Sequence, residues 1–322
     1  MSKQAFRAKL DAVEGLRSHP DREQLRKALR DRNNYLVARA ADITADLRVE
    51  DLIPDLLAAF ERFFVDAARS DPKCMAKTAV AKALRHLGHR GAPAYVRGIQ
   101  HVQLEPAWGG RSDTAASLRG ACALALTDCV LEDLEILTYL ADALADPIGE
   151  VRVDAAMAIE QLNRPEGALL LRLKVLSGDA DPVVMGQCFA SMLSLAPRGI
   201  VAFISRFLKS ASQDVQLEAA SALAQCRDPE AMAVLREFWQ DTLLSTDVRQ
   251  ALLVNLGASP LREAADFLLE LVADAPVALA CVAVAALAAS RFHADVRAQL
   301  GDLVRVRDSS QLHSAFQEKI GE

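Results

Sequence analysis

The sequence predicts an all-α fold, an α-solenoid of about eight stacked antiparallel helix pairs. Three observations predict it. One pattern, V-x-x-x-A-A-x-A-L with substitutions, starts at Leu36, Ala76, Leu118, Val151, Val184, Val215, Val248 and Leu279. By difference of those positions, the last five intervals are 33, 33, 31, 33 and 31 residues, and the first two are 40 and 42. Self-similarity at such a period marks a solenoid whose units bury their apolar faces only by stacking. Helix-start signals punctuate the chain at Asp71-Pro72, Asp146-Pro147, Asp181-Pro182, Asp228-Pro229 and Ser259-Pro260. The chain is 52% hydrophobic but 5% aromatic. Its core is therefore built from Ala, Leu and Val, side chains small enough to let helices approach closely.

The unit is clearest over residues 146–162, DPIGEVRVDAAMAIEQL. Asp146 is expected to cap the helix, with Pro147 at its first position, where a missing N–H costs nothing. Val151, Ala155, Ile159 and Leu162 share one face at helical spacing, widened by Ala156 and Ala158.

Taken in order, residues 2–18 read as an amphipathic helix with Phe6, Leu10, Val13 and Leu16 on one face. His19-Pro20-Asp21 breaks it, and a shorter helix runs to about Leu29. Asn33–Leu47 is the first motif helix, and Asp51–Ala68 reads as one long apolar helix. Asp71-Pro72 opens the second motif helix, ending near Gly88, and Ala92-Pro93 opens one that runs to about Val102. The stretch 103–112, QLEPAWGGRS, interrupts the array and accounts for the 42-residue second interval. From Asp113 the array is regular, with paired helices predicted over 113–128 and 132–145, 147–162 and 165–177, and 181–195 and 198–211. They continue over 213–226 and 228–241, 245–256 and 260–273, and 276–290 and 293–307. A helix over 309–320 closes the chain. Residues 1–322 are thus expected to form one array, with 1–30 and 308–322 as capping helices that cover its exposed ends.

These residues resemble the HEAT-repeat family, in particular the short bacterial HEAT-like units with a D-P-x-x-x-V-R-x-x-A-A-x-A-L second helix. Asp146, Pro147, Val151, Arg152, Ala155 and Ala156 carry the match, which extends over about residues 20–305. The family places an Asp six residues before a basic residue, the two forming a ladder between repeats. Asp71/Lys77, Asp113/Arg119 and Asp146/Arg152 have that spacing. Val184 is followed by Met185 and Val215 by Gln216, so the resemblance implies a ladder in the first half only. It implies a HEAT-like superhelix and no particular activity, because such arrays serve many purposes.

The net charge is −6, against the basic excess that displaces counterions from nucleic acid. The six cysteines form no C-x-x-C, and Cys122 and Cys188 fall at the small apolar motif position of Ala155. They read as core residues of a protein in a reducing cytoplasm. The N-terminus has no apolar run of a signal peptide. The longest uncharged apolar run, Val277–Ala289, falls short of a membrane span and reads as a buried helix.

No Walker, nucleophile-elbow, zincin or dinucleotide fingerprint occurs. No His-Glu dipeptide occurs, which sets the chain apart from the HEAT-like deoxyhypusine hydroxylases. His86, His89 and His101 read as residues around a helix end, not as metal ligands. No metal and no cofactor are expected. Two enzymatic alternatives follow from the resemblance: a HEAT-like DNA glycosylase, with Trp108 and Asp113 in its site, or a subunit of a chromophore lyase.

The leading expectation is a non-enzymatic scaffold or adaptor that binds a protein or peptide partner. In HEAT arrays the second helix of each pair lines the concave face. Its outward positions, three and six after the motif start, include two basic residues, Arg39 and Lys82, and are mainly small and apolar toward the C-terminus. Leu124, Met157 and Val254 are the candidate contacts there, and Trp108 and Arg111 in the interruption are the candidate hot spot. For Trp108 the competing expectation is that its indole folds back over the gap between the second and third motif units.

Overall fold

A computed structural model describes residues 3–195 and 199–321. The fold is an all-α solenoid with one small β-hairpin. It divides into two compact units, residues 1–170 and 171–322.

The first unit begins with α1 (Lys3–Gly15), α2 (Arg22–Leu29), α3 (Asn34–Asp46), α4 (Ile53–Arg62) and the single turn α5 (Ala67–Ser70). It continues with α6 (Met75–His86), α7 (Ala92–Ile99), the hairpin β1 (Leu104–Ala107) and β2 (Gly110–Asp113), α8 (Ala116–Leu126), α9 (Asp133–Ala143) and α10 (Gly149–Leu162). The boundary falls within α11 (Pro165–Ser177). The motif helices α3, α6, α8 and α10 stack in chain order as one layer, and α2, α4, α7 and α9 form the other.

The second unit holds α12 (Pro182–Leu195), α13 (Ile200–Ser205), α14 (Gln213–Gln225), α15 (Pro229–Trp239), α16 (Thr246–Gly257), α17 (Arg262–Asp274), α18 (Val277–Ala289), α19 (His293–Arg307) and α20 (Ser310–Ile320). Here α12, α14, α16 and α18 stack in order and α20 packs on α18, while α13, α15, α17 and α19 form the second layer. The small motif residues are the contact: Ala155, Ala156, Ala219, Ala220, Ala280 and Ala283 are fully buried. The run Val277–Ala289 is a helix of this core, and no described helix is long and apolar enough to cross a membrane.

Polar side chains start many helices as expected. Asp21 accepts from Glu23 N and Gln24 N at 3.0 and 3.1 Å, and Asn33 accepts from Leu36 N at 3.1 Å. Ser212, Asp228, Ser245 and Ser309 do the same for α14, α15, α16 and α20.

Several local expectations are corrected. Asp146 does not cap α10, which starts at Gly149. Its Oδ1 accepts from Ile148 N at 2.9 Å in a tight turn, because the carboxylate is held by Arg119. The expected long helix over 51–68 stops at Arg62. Buried Lys77 donates to the Phe63 carbonyl at 3.1 Å, the acceptor a continuing helix would have needed. Asp71-Pro72 opens a turn in which Lys73 and Cys74 are left-handed (φ 61° and 54°), so α6 begins three residues late. The interruption 103–112, read as an irregular insertion, pairs as a hairpin with Leu104 opposite Asp113 and Ala107 opposite Gly110. Asp113 therefore closes β2, and α8 starts at Ala116. The helix expected over 198–211 is α13 followed by a tighter turn over Arg206–Lys209, and residues 196–198 lie outside the described residues.

Candidate functional site: an exposed hairpin on a buried polar base

The candidate site is built from the base upward. At the base, Lys77, Asp71, Gln103 and Arg119 are buried. A buried charge is tolerated only when it is paired and hydrogen-bonded, and each of these is. Lys77 Nζ lies 3.0 Å from Asp71 Oδ2 and 3.0 Å from Gln103 Oε1, besides the Phe63 carbonyl. Asp71 accepts from the amides of Ala76 and Lys77 at 2.8 and 3.0 Å and from Asn34 Nδ2 at 2.9 Å.

Gln103 links this centre to the hairpin. Its Nε2 donates to the Asp71 carbonyl at 2.8 Å and to Glu105 Oε1 at 2.7 Å. Glu105 also accepts from Lys73 N and from the Thr114 hydroxyl, both at 2.7 Å. Burial works to raise the Glu105 carboxyl, but Thr114, Gln103, Lys73 and Lys77 outweigh it and hold the group below its ordinary value. Asp113 Oδ1 accepts from Gln103 N and Ala115 N, each at 3.0 Å, and Oδ2 faces Arg119 Nη1 at 2.7 Å. Its carboxyl is likewise lowered, since these bonds outweigh the desolvation that opposes them.

Arg119 spans two units of the array. It meets Asp113 on one side and Asp146 on the other, at 2.7 and 3.0 Å, and donates to the His101 carbonyl at 2.9 Å. Arg152 Nη1 donates to the Asp146 carbonyl at 2.7 Å. The six residues Asp71, Lys77, Asp113, Arg119, Asp146 and Arg152 thus lie along one connected polar row, with Gln103 inserted where the hairpin interrupts it. The importance of Gln103 and Glu105 was invisible in the sequence, where both sit in an unclassified stretch. In the second unit, among the described residues, Gln216 and Arg249 at the same motif position are met by backbone carbonyls. Gln216 donates to the Ser210 carbonyl at 2.8 Å, and Arg249 to the Trp239 and Asp241 carbonyls at 2.7 and 2.6 Å.

Above this base the hairpin stands in solvent. The Trp108 side chain is fully exposed at its tip, which overturns the expectation that the indole folds back over the repeats. The backbone explains it. Gly109 (φ 84°) and Gly110 (φ 153°) adopt conformations that L side chains rarely take, and the turn they make throws Trp108 away from the array. Arg111 is exposed and donates to the Leu104 carbonyl at 2.8 Å. Trp108 and Arg111 are therefore together on one hairpin.

The other candidate contacts are dispersed. Leu124 on α8 is half-buried, while Met157 on α10 and Val254 on α16 are exposed. The row three after the motif start does not face open solvent: Ala121 is buried, and Asp154 and Glu218 are half-buried against glycines of the preceding motif helix. Exposed apolar side chains also occur on α11, at Leu169, Leu173 and Leu176.

His89 and His101 pack locally, while His86 is exposed. The His101 ring packs edge-on to Phe64 at 4.8 Å and lies 3.2 Å from Gln103 Oε1, and burial lowers its pKa. His89 is tilted against Tyr95, with ring centroids 6.0 Å apart. Among the described residues no group of three or more His, Cys, Asp or Glu is arranged to hold a metal ion. Five cysteines are buried and Cys281 is half-buried, all unpaired. Burial pushes the Cys74 and Cys188 thiols up to about 12 and the Cys129 thiol up to about 11, which leaves them unreactive at neutral pH.

A family model of HEAT repeats matches residues 200–308. No curated protein matches the sequence. Among solved structures, the chain is similar to the complex of CpcE and CpcF of phycocyanin lyase from Nostoc sp. PCC7120, at 17% identity and a TM-score of 0.38, covering 92% of this chain and 94% of that one. It is also similar to the Escherichia coli protein YibA, at 15% identity and a TM-score of 0.45, covering 84% and 92%. A third similar structure is human deoxyhypusine hydroxylase in complex with glycerol, at 19% identity and a TM-score of 0.30, covering 79% and 90%. At such identities and scores these likenesses carry no function across to this chain.

Proposed function

We propose that this chain, which carries HEAT repeats over residues 200–308, is a non-enzymatic scaffold that binds a protein partner. The docking point is the hairpin, with Trp108 and Arg111 as anchors, while Leu124, Met157 and Val254 offer separate apolar contacts away from it. One observation carries the reading. A tryptophan stands wholly in solvent on a hairpin whose base is tied down by buried and half-buried hydrogen bonds. Large apolar rings are kept in water at a cost, and rigid exposed Trp and Arg are the side chains most enriched at binding hot spots. The glycosylase alternative would have Asp113 act on substrate, yet its carboxylate is consumed by Arg119 and two backbone amides.

The test is the double variant Trp108→Ala/Arg111→Ala. Neither side chain packs in the core, so the expected melting temperature is that of the parent while recovery of native partners from lysate is lost. Partners retained in full would remove the hairpin from the interface. A parallel gel-shift titration is expected to show duplex DNA binding no tighter than the nonspecific range of about 10⁻⁴ to 10⁻⁶ M. Sub-micromolar affinity with a steep salt slope would replace the scaffold reading with a nucleic-acid one.

A further inference from the structure

Resting on the reading of Trp108 as a docking anchor, we infer that Glu105 is the positioning residue of that site: its carboxylate braces the hairpin against the left-handed turn at Lys73–Cys74 and so sets where the indole stands. The hairpin exposes its apolar residues and turns polar ones to the array. Leu104, Pro106 and Trp108 are exposed, whereas Gln103 is buried and Glu105 half-buried. A sheet packed on a core does the reverse, with apolar side chains inward. Within the two strands only Glu105 and Asp113 are less than fully exposed, and among the described residues no helix packs broadly on either strand. Apolar burial therefore does not hold the hairpin. Directional hydrogen bonds hold it, and few side chains make them.

Two of those side chains sit at the foot. Gln103 reaches the Asp71 carbonyl and Lys77, and Asp113 reaches Arg119. The two feet are also joined to each other, since Asp113 Oδ1 accepts from Gln103 N at 3.0 Å. They fix a line across the base, and a ribbon held along one line still tilts about it. Glu105 lies two residues farther up β1, about 7 Å along the strand. Its Oε1 accepts from Lys73 N, Gln103 Nε2 and the Thr114 hydroxyl, each at 2.7 Å. Of these donors only Lys73 belongs to a segment other than the hairpin and its feet. The bond from Lys73 N to Glu105 is therefore the brace against tilt.

The far end of the brace is itself constrained. Lys73 and Cys74 are consecutive non-glycine residues in the left-handed region, a conformation that persists only where the surroundings fix it. Asp71 fixes the turn from one side. Its carboxylate accepts from the amides of Ala76 and Lys77, and its carbonyl accepts from Cys74 N at 3.0 Å. The Lys73 amide is bonded on the other side, to Glu105. Hairpin and turn thus hold each other in place through one atom, Glu105 Oε1. The turn contributes a backbone N–H there, while Lys73 as a residue is exposed.

The experiment uses the full chain carrying Trp239→Phe, which leaves Trp108 as its one tryptophan. Hydrogen exchange by mass spectrometry follows residues 72–76, and time-resolved anisotropy follows the indole. Glu105→Ala is expected to speed exchange over 72–76 by about tenfold or more, the effect of losing a hydrogen bond to a charged acceptor. It is also expected to enlarge the nanosecond part of the Trp108 anisotropy decay, while α8 exchanges as in the parent. Glu105→Gln keeps an acceptor of the same reach and is expected to behave as the parent. Glu105→Asp, one methylene shorter, is expected to behave as Glu105→Ala. Lys73→Gly keeps the amide and takes the left-handed turn freely, so its Trp108 decay is expected to match the parent. An unchanged Trp108 decay in Glu105→Ala, a Glu105→Gln as loose as Glu105→Ala, or a hairpin loosened by Lys73→Gly would each overturn the inference. If Glu105→Ala fails to fold, the comparison of Glu105→Asp with Glu105→Gln decides it. Partner recovery separates this inference from the docking reading. Partners lost in Trp108→Ala/Arg111→Ala while Glu105→Ala leaves the hairpin ordered would sink the brace and keep the docking site. A hairpin loosened by Glu105→Ala, beside full recovery of partners by Trp108→Ala/Arg111→Ala, would keep the brace and sink the docking site.

Discussion

The Asp154 carboxylate lies directly over Gly120 on the neighbouring motif helix, where any β-carbon would collide with it. The second unit repeats the device with Glu218 over Gly186. Each acid stands three after its motif start, and each glycine two after the start of the preceding motif. The glycine is there to admit a side chain from the next helix, not to bend its own.

Alanine at Gly120 is therefore a test of packing against propensity. In an exposed helix, Gly→Ala stabilises by about 1 kcal/mol. Here the new methyl also meets Asp154 Cγ and Cβ, at 2.8 and 3.1 Å from its ideal position. A short side chain has little room to swing away. We expect Gly120→Ala to lose about 1–3 kcal/mol in urea unfolding, and Asp154→Ala in the same chain to restore most of it. Gly186→Ala should cost less, because the longer Glu218 side chain can rotate aside. Equal losses at the two sites, or no rescue, would show that the contact does not govern stability.

The same carboxylates set a pH dependence. Burial pushes Asp154 above its ordinary 3.8, and Glu150 adds to the rise while Lys82 opposes it. A raised carboxyl contributes stability that is fully present below the unfolded pKa and lost as pH rises through the folded one. Asp154→Asn should thus melt above the parent at pH 7, with the gap closing as pH falls toward 3.8. Asp113 has the opposite sign, since its lowered carboxyl contributes stability above the unfolded pKa that is lost as pH falls through the folded one. Asp113→Asn should melt below the parent at pH 7 and approach it in acid. Melting curves of both variants from pH 3 to 8, about the span in which carboxylates titrate, give the comparison. Parallel curves for the two would contradict it.

Lys77 and Asp71 are both buried, so removing one leaves the other charged in the core. Lys77→Met should cost about 3–5 kcal/mol. Lys77→Met with Asp71→Asn should recover part of the loss, because the orphaned charge is gone while the amides of Ala76 and Lys77 keep an acceptor. A double variant no better than the single would mean that the bonds to Phe63 and Gln103, not the ion pair, dominate.

The two tryptophans should report separately. Trp108 stands in solvent, whereas Trp239 is buried against Phe267, ring centroids 6.2 Å apart, with Arg249 5.0 Å from its ring. In Trp239→Phe the remaining emission should be red-shifted and readily quenched by iodide. In Trp108→Ala it should be blue-shifted and protected, with stability changed by no more than about 0.5 kcal/mol. Blue-shifted emission from Trp108 alone would place the indole back against the repeats.

The all-α array, its motif helices and their small-residue contacts could be read without coordinates. Helical periodicity and repeat length are local properties, and Ala155, Ala156, Ala219 and Ala220 bury where the pattern puts them. The spacing of Asp113 and Arg119 also marked a pair that does meet. What only the tertiary structure decided depends on competition for the same atoms. Asp146 had the sequence of a helix cap, but Arg119, twenty-seven residues away, claims its carboxylate. The helix over 51–68 had the right apolar period, but Lys77 takes the carbonyl it needed. Residues 103–112 contain no alternating pattern that announces strands. They pair because Gln103, Glu105 and Asp113 find hydrogen-bond partners on the array beneath them. The exposure of Trp108 follows from that anchoring: a ring expected to seek cover is held outward by a turn whose ends are fixed by buried polar bonds.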